Sequence, residues 1–286
     1  MRLTLSLLLI SLIFTKVTAQ SNLAINRKYV SINTTKNSEN ISLKNAIYLE
    51  NDTLVVEKSI PMGVFEVDLG DFDLEFIEHY KAAVFGNAKT RRKDYNLSFI
   101  KMWSSNIKVY LDKSVDKKLK KELIPFFNDI SKHSNSLKIS VVSKLEDSNY
   151  LIYCTNSPSD VDQPIIKQDD PITYNLLCAN NKYYKGVLRL NTMSIYSFNE
   201  QINNLKVYFF KSLGQFWLIN NVPCESMLAD CHSTNKKLTD LDYKILNFHY
   251  KNNYDSDVSI FKYEDIIEEY GRLRKEHPNQ TKFLID

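Results

Sequence analysis

Only six glycines occur in the 286 residues, Gly63, Gly70, Gly86, Gly186, Gly214 and Gly271, where ordinary usage of roughly 7% would supply about twenty. Sites that let a backbone approach a phosphate or turn sharply at a nucleophile need clustered glycines, because only glycine tolerates those backbone angles and close contacts. No Gly-rich phosphate cradle, dinucleotide fingerprint or Gly-x-Ser-x-Gly elbow can be written anywhere in this chain. Nucleotide-dependent enzymes and typical α/β-hydrolases are thereby excluded.

Residues 1–19 read as a removable signal peptide. Arg2 supplies the positive start, Leu5 to Phe14 is apolar except for Ser6 and Ser11, and Val17-Thr18-Ala19 offers small residues for cleavage before Gln20. A membrane span needs roughly 20 apolar residues, and this run ends well short of that at Lys16. No cysteine follows the cleavage site, so a bacterial lipid anchor is not expected, and no later segment is apolar enough to cross a bilayer. The expectation is a soluble exported chain, periplasmic or extracellular. Its apolar content of 43% is that of a chain with a packed core. Against 37 basic residues stand 34 acidic ones, and losing Arg2 and Lys16 with the leader brings the mature chain close to neutrality. That gives no reason to expect nucleic acid or an acidic membrane as partner. The one basic cluster, Lys89-Thr90-Arg91-Arg92-Lys93, reads as a solvated loop.

Cys154, Cys178, Cys224 and Cys231 all fall in the second half. An exported chain meets oxidising conditions, where an even count suggests bridges. Of the three possible pairings, Cys224 with Cys231 and Cys154 with Cys178 are favoured, the first stapling a short loop and the second a long one. The rival reading joins Cys224 and Cys231 with His232 in a metal site, although zinc sites usually show closer cysteine pairs.

The pattern of elements begins with a β-rich segment over 20–70, containing a hairpin of Ala46–Glu50 and Thr53–Ile60 about Asn51-Asp52. A helix then starts at Asp73 as cap and ends at Gly86. Ile107–Leu111 reads as a strand. A helix follows from Ser114 with Val115, Leu119 and Leu123 on one face, which Pro125 should kink or split before Phe126, Phe127 and Ile130. Leu137–Val142 and Tyr150–Cys154 read as buried strands, Ser157–Pro171 as a long loop, and Gly186–Asn191 as a short strand.

Ser197-Phe198-Asn199-Glu200 fits a capping box. The helix behind it carries Ile202, Leu205, Phe209, Leu213 and Phe216 on one face, widened by Val207, Phe210 and Trp217, with Gly214 near its end. Thr239 and Asp242 open another helix, and a last one spans about Tyr263–Lys275. Strands, helices, strands and helices in this order, with some strands too closely spaced for crossover helices, indicate an α+β fold, a mixed sheet packed on helices. The main domain is expected over 71–254, with 255–286 as a C-terminal helix and tail.

The run Lys206-Val207-Tyr208-Phe209-Phe210-Lys211-Ser212-Leu213-Gly214, with Leu238-Thr239-Asp240-Leu241-Asp242 and Leu246–Tyr250 downstream, resembles the end of a zincin-type metallopeptidase domain. Upstream, Trp103, a strand, a helix, two strands and then Gly186-Val187-Leu188-Arg189-Leu190 follow a similar order. The chain resembles an uncharacterised zincin-like family of secreted bacterial proteins, over roughly Phe72–Asn253. Catalysis in that fold needs two histidines at i and i+4, with a glutamate beside the first as general base. Counting back from Gly214, those places hold Val207, Tyr208 and Lys211. Valine offers no donor atom, a tyrosine is a poor base, and an ammonium repels a cation. Trp217 stands where related enzymes often keep a third histidine. The family often carries acidic or amide residues in place of the histidines, but this chain has no carboxylate there. The resemblance therefore implies a zincin-like fold with its metal motif lost, no cofactor and no metal, and a groove marked by Tyr208, Lys211 and Trp217.

His79, His133, His232, His249 and His277 form no His-x-x-x-His pair. Tyr183, Tyr184, Tyr208, Tyr243, Tyr250 and Tyr254 give the second half a surplus of side chains suited to protein or glycan surfaces. Asn33, Asn40, Asn51, Asn96 and Asn279 begin glycosylation sequons, which matter only in a eukaryotic secretory host. The leading expectation is a non-catalytic exported domain that binds a protein or glycan, or is associated with the cell envelope. The alternative is a secreted hydrolase built on His232 or His249 with nearby carboxylates.

Overall fold

The computed structural model describes residues 29–31, 41–49, 52–57, 65–68, 70, 73–86, 99–156, 170–251 and 258–285. The leader, the basic cluster at 89–93, four of the five sequon asparagines, Tyr254 and nearly all of the loop expected at 157–171 lie outside these residues. The chain divides into two compact units, Met1–Val64 and Phe65–Asp286.

In the first unit, β1 (Tyr29–Ser31), β2 (Ile41–Leu49) and β3 (Asp52–Glu57) form an antiparallel sheet in the order β1-β3-β2. A hairpin is present as expected, but Asp52 is the first residue of β3, opposite Leu49, rather than part of the turn.

The second unit is α+β. Its two-stranded sheet pairs β4 (Phe65–Asp68) antiparallel with β11 (Lys282–Ile285). Residues 255–286 are thus part of this unit rather than a separate tail, and its start lies ahead of residue 71.

The main sheet has the order β5-β10-β8-β6-β7, with β9 also paired to β10. Its strands are β5 (Met102–Trp103), β6 (Ile107–Leu111), β7 (Ile139–Val142), β8 (Tyr150–Thr155), β9 (Ile172–Ala179) and β10 (Lys182–Asn191). Every pairing is parallel except β9 with β10. The strand expected at Leu137–Val142 proves to be an edge, with Val141 40% exposed, rather than a buried strand.

β9 has no counterpart among the expected elements. It joins β10 through Asn180-Asn181, both at positive φ (48° and 56°), with Ala179 opposite Lys182. That is the two-residue turn whose twist matches a hairpin, and asparagine is among the few residues that adopt it readily.

Helix α1 (Leu74–Phe85) starts and stops where its caps require. Asp73 accepts from the Glu75 and Phe76 amides, and the Gly86 N–H donates to Ala82 O. Helix α2 (Lys117–His133) starts later than expected, at Asp116, which accepts from the Lys118 amide at 2.7 Å. Ser114 is not its cap, because its hydroxyl instead accepts from the Cys154 amide at 3.0 Å.

Pro125 neither ends nor splits α2. A proline inside a helix forfeits one ladder bond and costs about 3 kcal/mol. Leu119, Leu123, Phe126, Phe127 and Ile130 are all buried on one stripe running past it. At roughly 1.5–3 kcal/mol per buried side chain, that stripe offsets the loss.

Helices α3 (Phe198–Ser212), α4 (Asp240–Lys251) and α5 (Ile260–Glu276) complete the unit. Aromatic rings knit α2 and α3 to the sheet: Phe127 to Phe209 at 4.5 Å, Tyr150 to Phe209 at 5.1 Å and Trp103 to Tyr150 at 5.7 Å. Another set joins α1 to α4 and α5, with Tyr80 edge-on to Phe248 at 4.5 Å and Phe85 against Tyr263 at 5.5 Å.

Candidate functional site

Helix α3 follows β10 directly and divides its surface sharply. Ile202, Leu205, Phe209 and Phe210 are buried, whereas Glu200, Asn203, Asn204 and Tyr208 line a cavity of about 430 Å³, to whose wall the buried Val207 also contributes. These positions follow the helical spacing of one stripe, and Lys211 continues it. Ser197 is the N-cap by backbone geometry, but its side chain makes no cap bond, so the expected capping box does not form. Glu200 is left to face the cleft.

The C-terminal end of α3 is fixed by buried polar contacts. Tyr150 Oη donates to Ser212 Oγ at 2.8 Å, Trp103 Nε1 donates to Ser212 O at 3.1 Å, and Tyr250 Oη donates to Leu213 O at 2.5 Å. Beyond it, a Cβ built on Gly214 would meet the Phe216 ring at 2.5 Å and His249 Nε2 at 2.9 Å. The glycine is there for space.

His249 is fully buried. Its Nε2 lies 2.9 Å from Lys101 O, which can only accept, so Nε2 carries the proton and Nδ1 accepts from Tyr80 Oη at 3.0 Å. Burial, chiefly, holds the imidazole neutral and pushes its pKa down to about 4. With both ring nitrogens engaged inside the core, His249 is a packing residue, and the expectation of it in a hydrolytic site is corrected.

The opposite wall of the cleft comes from the segment that contains the Cys224–Cys231 disulfide. Asp230, Cys231, His232 and Thr234 line it. The segment folds back on itself: the Ile219 N–H donates to Leu228 O at 2.7 Å and the Asp230 N–H to Ile219 O at 3.0 Å. Lys236 Nζ donates to Ser226 O, Ala229 O and Cys231 O at 3.0, 3.1 and 3.2 Å.

Asp242, wholly buried at the start of α4, completes the anchor. Its Oδ1 accepts from Ser226 Oγ at 2.7 Å. Its Oδ2 accepts from the Met227 amide, the Thr239 amide and Thr239 Oγ1 at 3.1, 2.9 and 2.8 Å. The Leu238–Asp242 run is therefore a latch that holds the disulfide loop in place.

Cys154 and Cys178 do not pair, contrary to expectation. Cys154 on β8 is opposite Leu190 of β10, whereas Cys178 on β9 is opposite Tyr183. At about 3.3 Å per residue those positions are roughly 20 Å apart, with β10 between them, far beyond disulfide reach. Burial, aided by the charges of Asp112 and Asp116, pushes the Cys154 thiol up to about 11. Cys178 is exposed.

Of the three residues expected to mark the groove, two come together. Lys211 Nζ lies 4.8 Å from the centre of the Tyr208 ring, which in turn meets Tyr174 of β9 edge-on at 6.2 Å. Burial, with a contribution from Asp170, raises the Tyr208 hydroxyl above its ordinary value, and burial alone lowers the Lys211 amine below its own. Trp217 belongs elsewhere. It lies beyond the helix, 46% exposed rather than buried, with its amide donating to Ala83 O at 2.7 Å.

Among the described residues no group of three or more His, Cys, Asp or Glu is placed to hold a metal ion. No helix among them is long and apolar enough to cross a membrane. Sequence reasoning missed Asn203, Asn204 and Asp230 as cleft residues and took Glu200 only as a cap. The spacing of 200, 203, 204, 207, 208 and 211 is the signal that could have found the stripe. No protein-family model matches the chain, and no curated protein resembles it closely enough to count as a match.

Proposed function

We propose that this chain is an exported, zincin-like domain that binds a protein or glycan partner in the α3 cleft and does not carry out peptidase chemistry. One observation carries the reading: the helix face lining the cleft presents Val207 and Tyr208 and continues to Lys211. It offers no imidazole, and its carboxylate, Glu200, lies two turns before Val207. The element order supports the zincin-like part: Trp103 in β5, strand β6, helix α2, strands β7 and β8, then β10 directly before α3. The antiparallel β9 lies between β8 and β10 and has no counterpart in that order. A cleft lined by amides, a tyrosine and a few charges, with one wall fixed by a disulfide and the Asp242 latch, suits recognition of a polar ligand.

The test is a pair of assays on the purified chain from Gln20 onward. Arrays of peptides and glycans should give binding without turnover, and Tyr208→Ala should weaken that binding. Hydrolysis of any of these substrates, abolished by a change at Tyr208 or Lys211, would overturn the proposal.

A second reading keeps one specific support, because Glu200, Asp230 and His232 line the same cleft. A hydrolase built on them predicts turnover that His232→Ala removes while leaving the thermal melting point unchanged.

A further inference from the structure

Several ammonium groups among the described residues have close acceptors. Lys236 has three carbonyls, and Lys81, Lys244 and Lys251 reach Glu78, Asp73 and Asp68 at 2.8–3.0 Å. Lys211 is the contrast. It is partly buried, yet among the described residues no hydrogen bond or ion pair reaches its amine, and its one polar contact is the face of the Tyr208 ring. A ring face attracts a cation but accepts none of its three N–H groups in the way an oxygen does. A cation drawn partly out of water without a counter-charge is unfavourable, and burial accordingly lowers its amine pKa with no charged group contributing. Among the described residues, the titratable groups about the pair are Tyr208 on the same helix, Tyr174 on β9 and Asp170, whose charge acts on Tyr208 and not on Lys211. The Tyr208 hydroxyl likewise has no hydrogen-bond partner among the described residues, so two sets of donors stand side by side without an acceptor.

We propose that Lys211 and Tyr208 form a carboxylate-binding subsite at the edge of the α3 cleft, which Tyr208 lines and Lys211 adjoins across the Tyr208 ring, and that its ligand is the free carboxylate of a peptide segment, a chain terminus or an acidic side chain. This deepens the binding reading above and rests on it. One carboxylate oxygen accepts from Lys211 Nζ and the other from Tyr208 Oη, supplying the counter-charge the site lacks. A phosphate fits less well, since its second negative charge would meet a single cation while Glu200 and Asp230 line the same cleft. The partial burial of Lys211 also favours a carboxylate on a flexible arm over that of a uronic acid, which is fixed directly to a bulky ring.

The experiment uses the chain from Gln20 onward with three probes: N-acetyl-glycyl-phenylalanine as the free acid, its amide, and glucuronate. Two readouts are taken, the thermal melting point and the rate at which Lys211 is acylated by a limiting activated ester, followed by mass spectrometry. The free acid should raise the melting point and slow acylation of Lys211 at least fivefold, whereas the amide and glucuronate should do neither. Lys211→Met should abolish the response and raise the ligand-free melting point, because an uncompensated charge is removed. Tyr208→Phe, which keeps the ring, should weaken the free acid's effect about tenfold and serves as the variant if Lys211→Met does not fold.

Equal effects of acid and amide, an unchanged response in Lys211→Met, or a lower ligand-free melting point in that variant would each overturn the subsite. A response to glucuronate alone would overturn the peptide assignment. Cleavage of a peptide substrate would instead overturn the non-catalytic reading, so the two failures are told apart by whether product appears.

Discussion

Asp242 accepts a 2.7 Å hydrogen bond from the hydroxyl of Ser226, sixteen residues earlier, which ties the first turn of α4 to the inside of the disulfide loop. The carboxylate has no contact with water, and four donors converge on it. Asp242→Ala leaves all four without an acceptor and should cost about 3 kcal/mol or more in urea unfolding. Asp242→Asn should cost only about 1 kcal/mol. Its amide oxygen can take the three donors at the Oδ2 position, while the Ser226 hydroxyl turns to accept from the amide nitrogen. Equal losses for the two variants would contradict this account of the latch.

His249 makes stability depend on pH with a defined sign. It is neutral and buried in the folded chain, with its pKa down to about 4, and takes up a proton near 6.5 once unfolded. The unfolded state therefore binds more protons between about 4 and 6.5. Its contribution is fully present above 6.5 and is lost as pH falls through that window, by up to about 3 kcal/mol. Denaturant midpoints across this range should fall toward acid, and His249→Gln should flatten the slope.

The cysteines give a prediction by simple counting. Without reductant, the folded chain should expose one reactive thiol, Cys178, and the denatured chain two, because Cys154 is buried and its thiol is shifted upward. Replacing Cys224 and Cys231 together with serine should lower stability by about 2.5 kcal/mol, the chain-entropy value for so short a loop. A fully oxidised, thiol-free protein would place Cys154 and Cys178 in a bridge after all.

Pro125 lies exposed inside α2, where its missing N–H leaves the carbonyl one turn back without its ladder partner. Pro125→Ala should restore that bond at little loss of burial and stabilise the chain by at least about 1 kcal/mol. A loss of stability would mean that the ring is needed for packing.

Local signals were read well from the sequence. Asp73 and Gly86 bound α1 because both act on their own helix end, and the apolar spacing of 202, 205, 209 and 210 marks the buried face of α3. The Val207, Tyr208 and Lys211 positions were legible because one helix sets their spacing. What failed depends on partners distant in sequence. Pro125 stays helical because the sheet and α3 bury the stripe around it. Trp217 is turned outward by a bond to Ala83 that no helical pattern contains. The Cys154 and Cys178 pairing failed because nothing local reveals that β10 separates them. β9 was a different kind of miss, since the Asn180-Asn181 turn was present in the sequence as a hairpin signal.

The pairing of Phe65–Asp68 with Lys282–Ile285 sets an order of events. Although α1 must wait for α4 and α5, the middle of the main sheet can assemble as the chain emerges, since β6, α2, β7 and β8 are close neighbours along it. The small sheet cannot, because one of its strands must wait for the other until residue 285 has been made. Nascent chains stalled before residue 282 should carry a formed main sheet beside an unpaired β4, a strand edge open to other chains for as long as synthesis lasts.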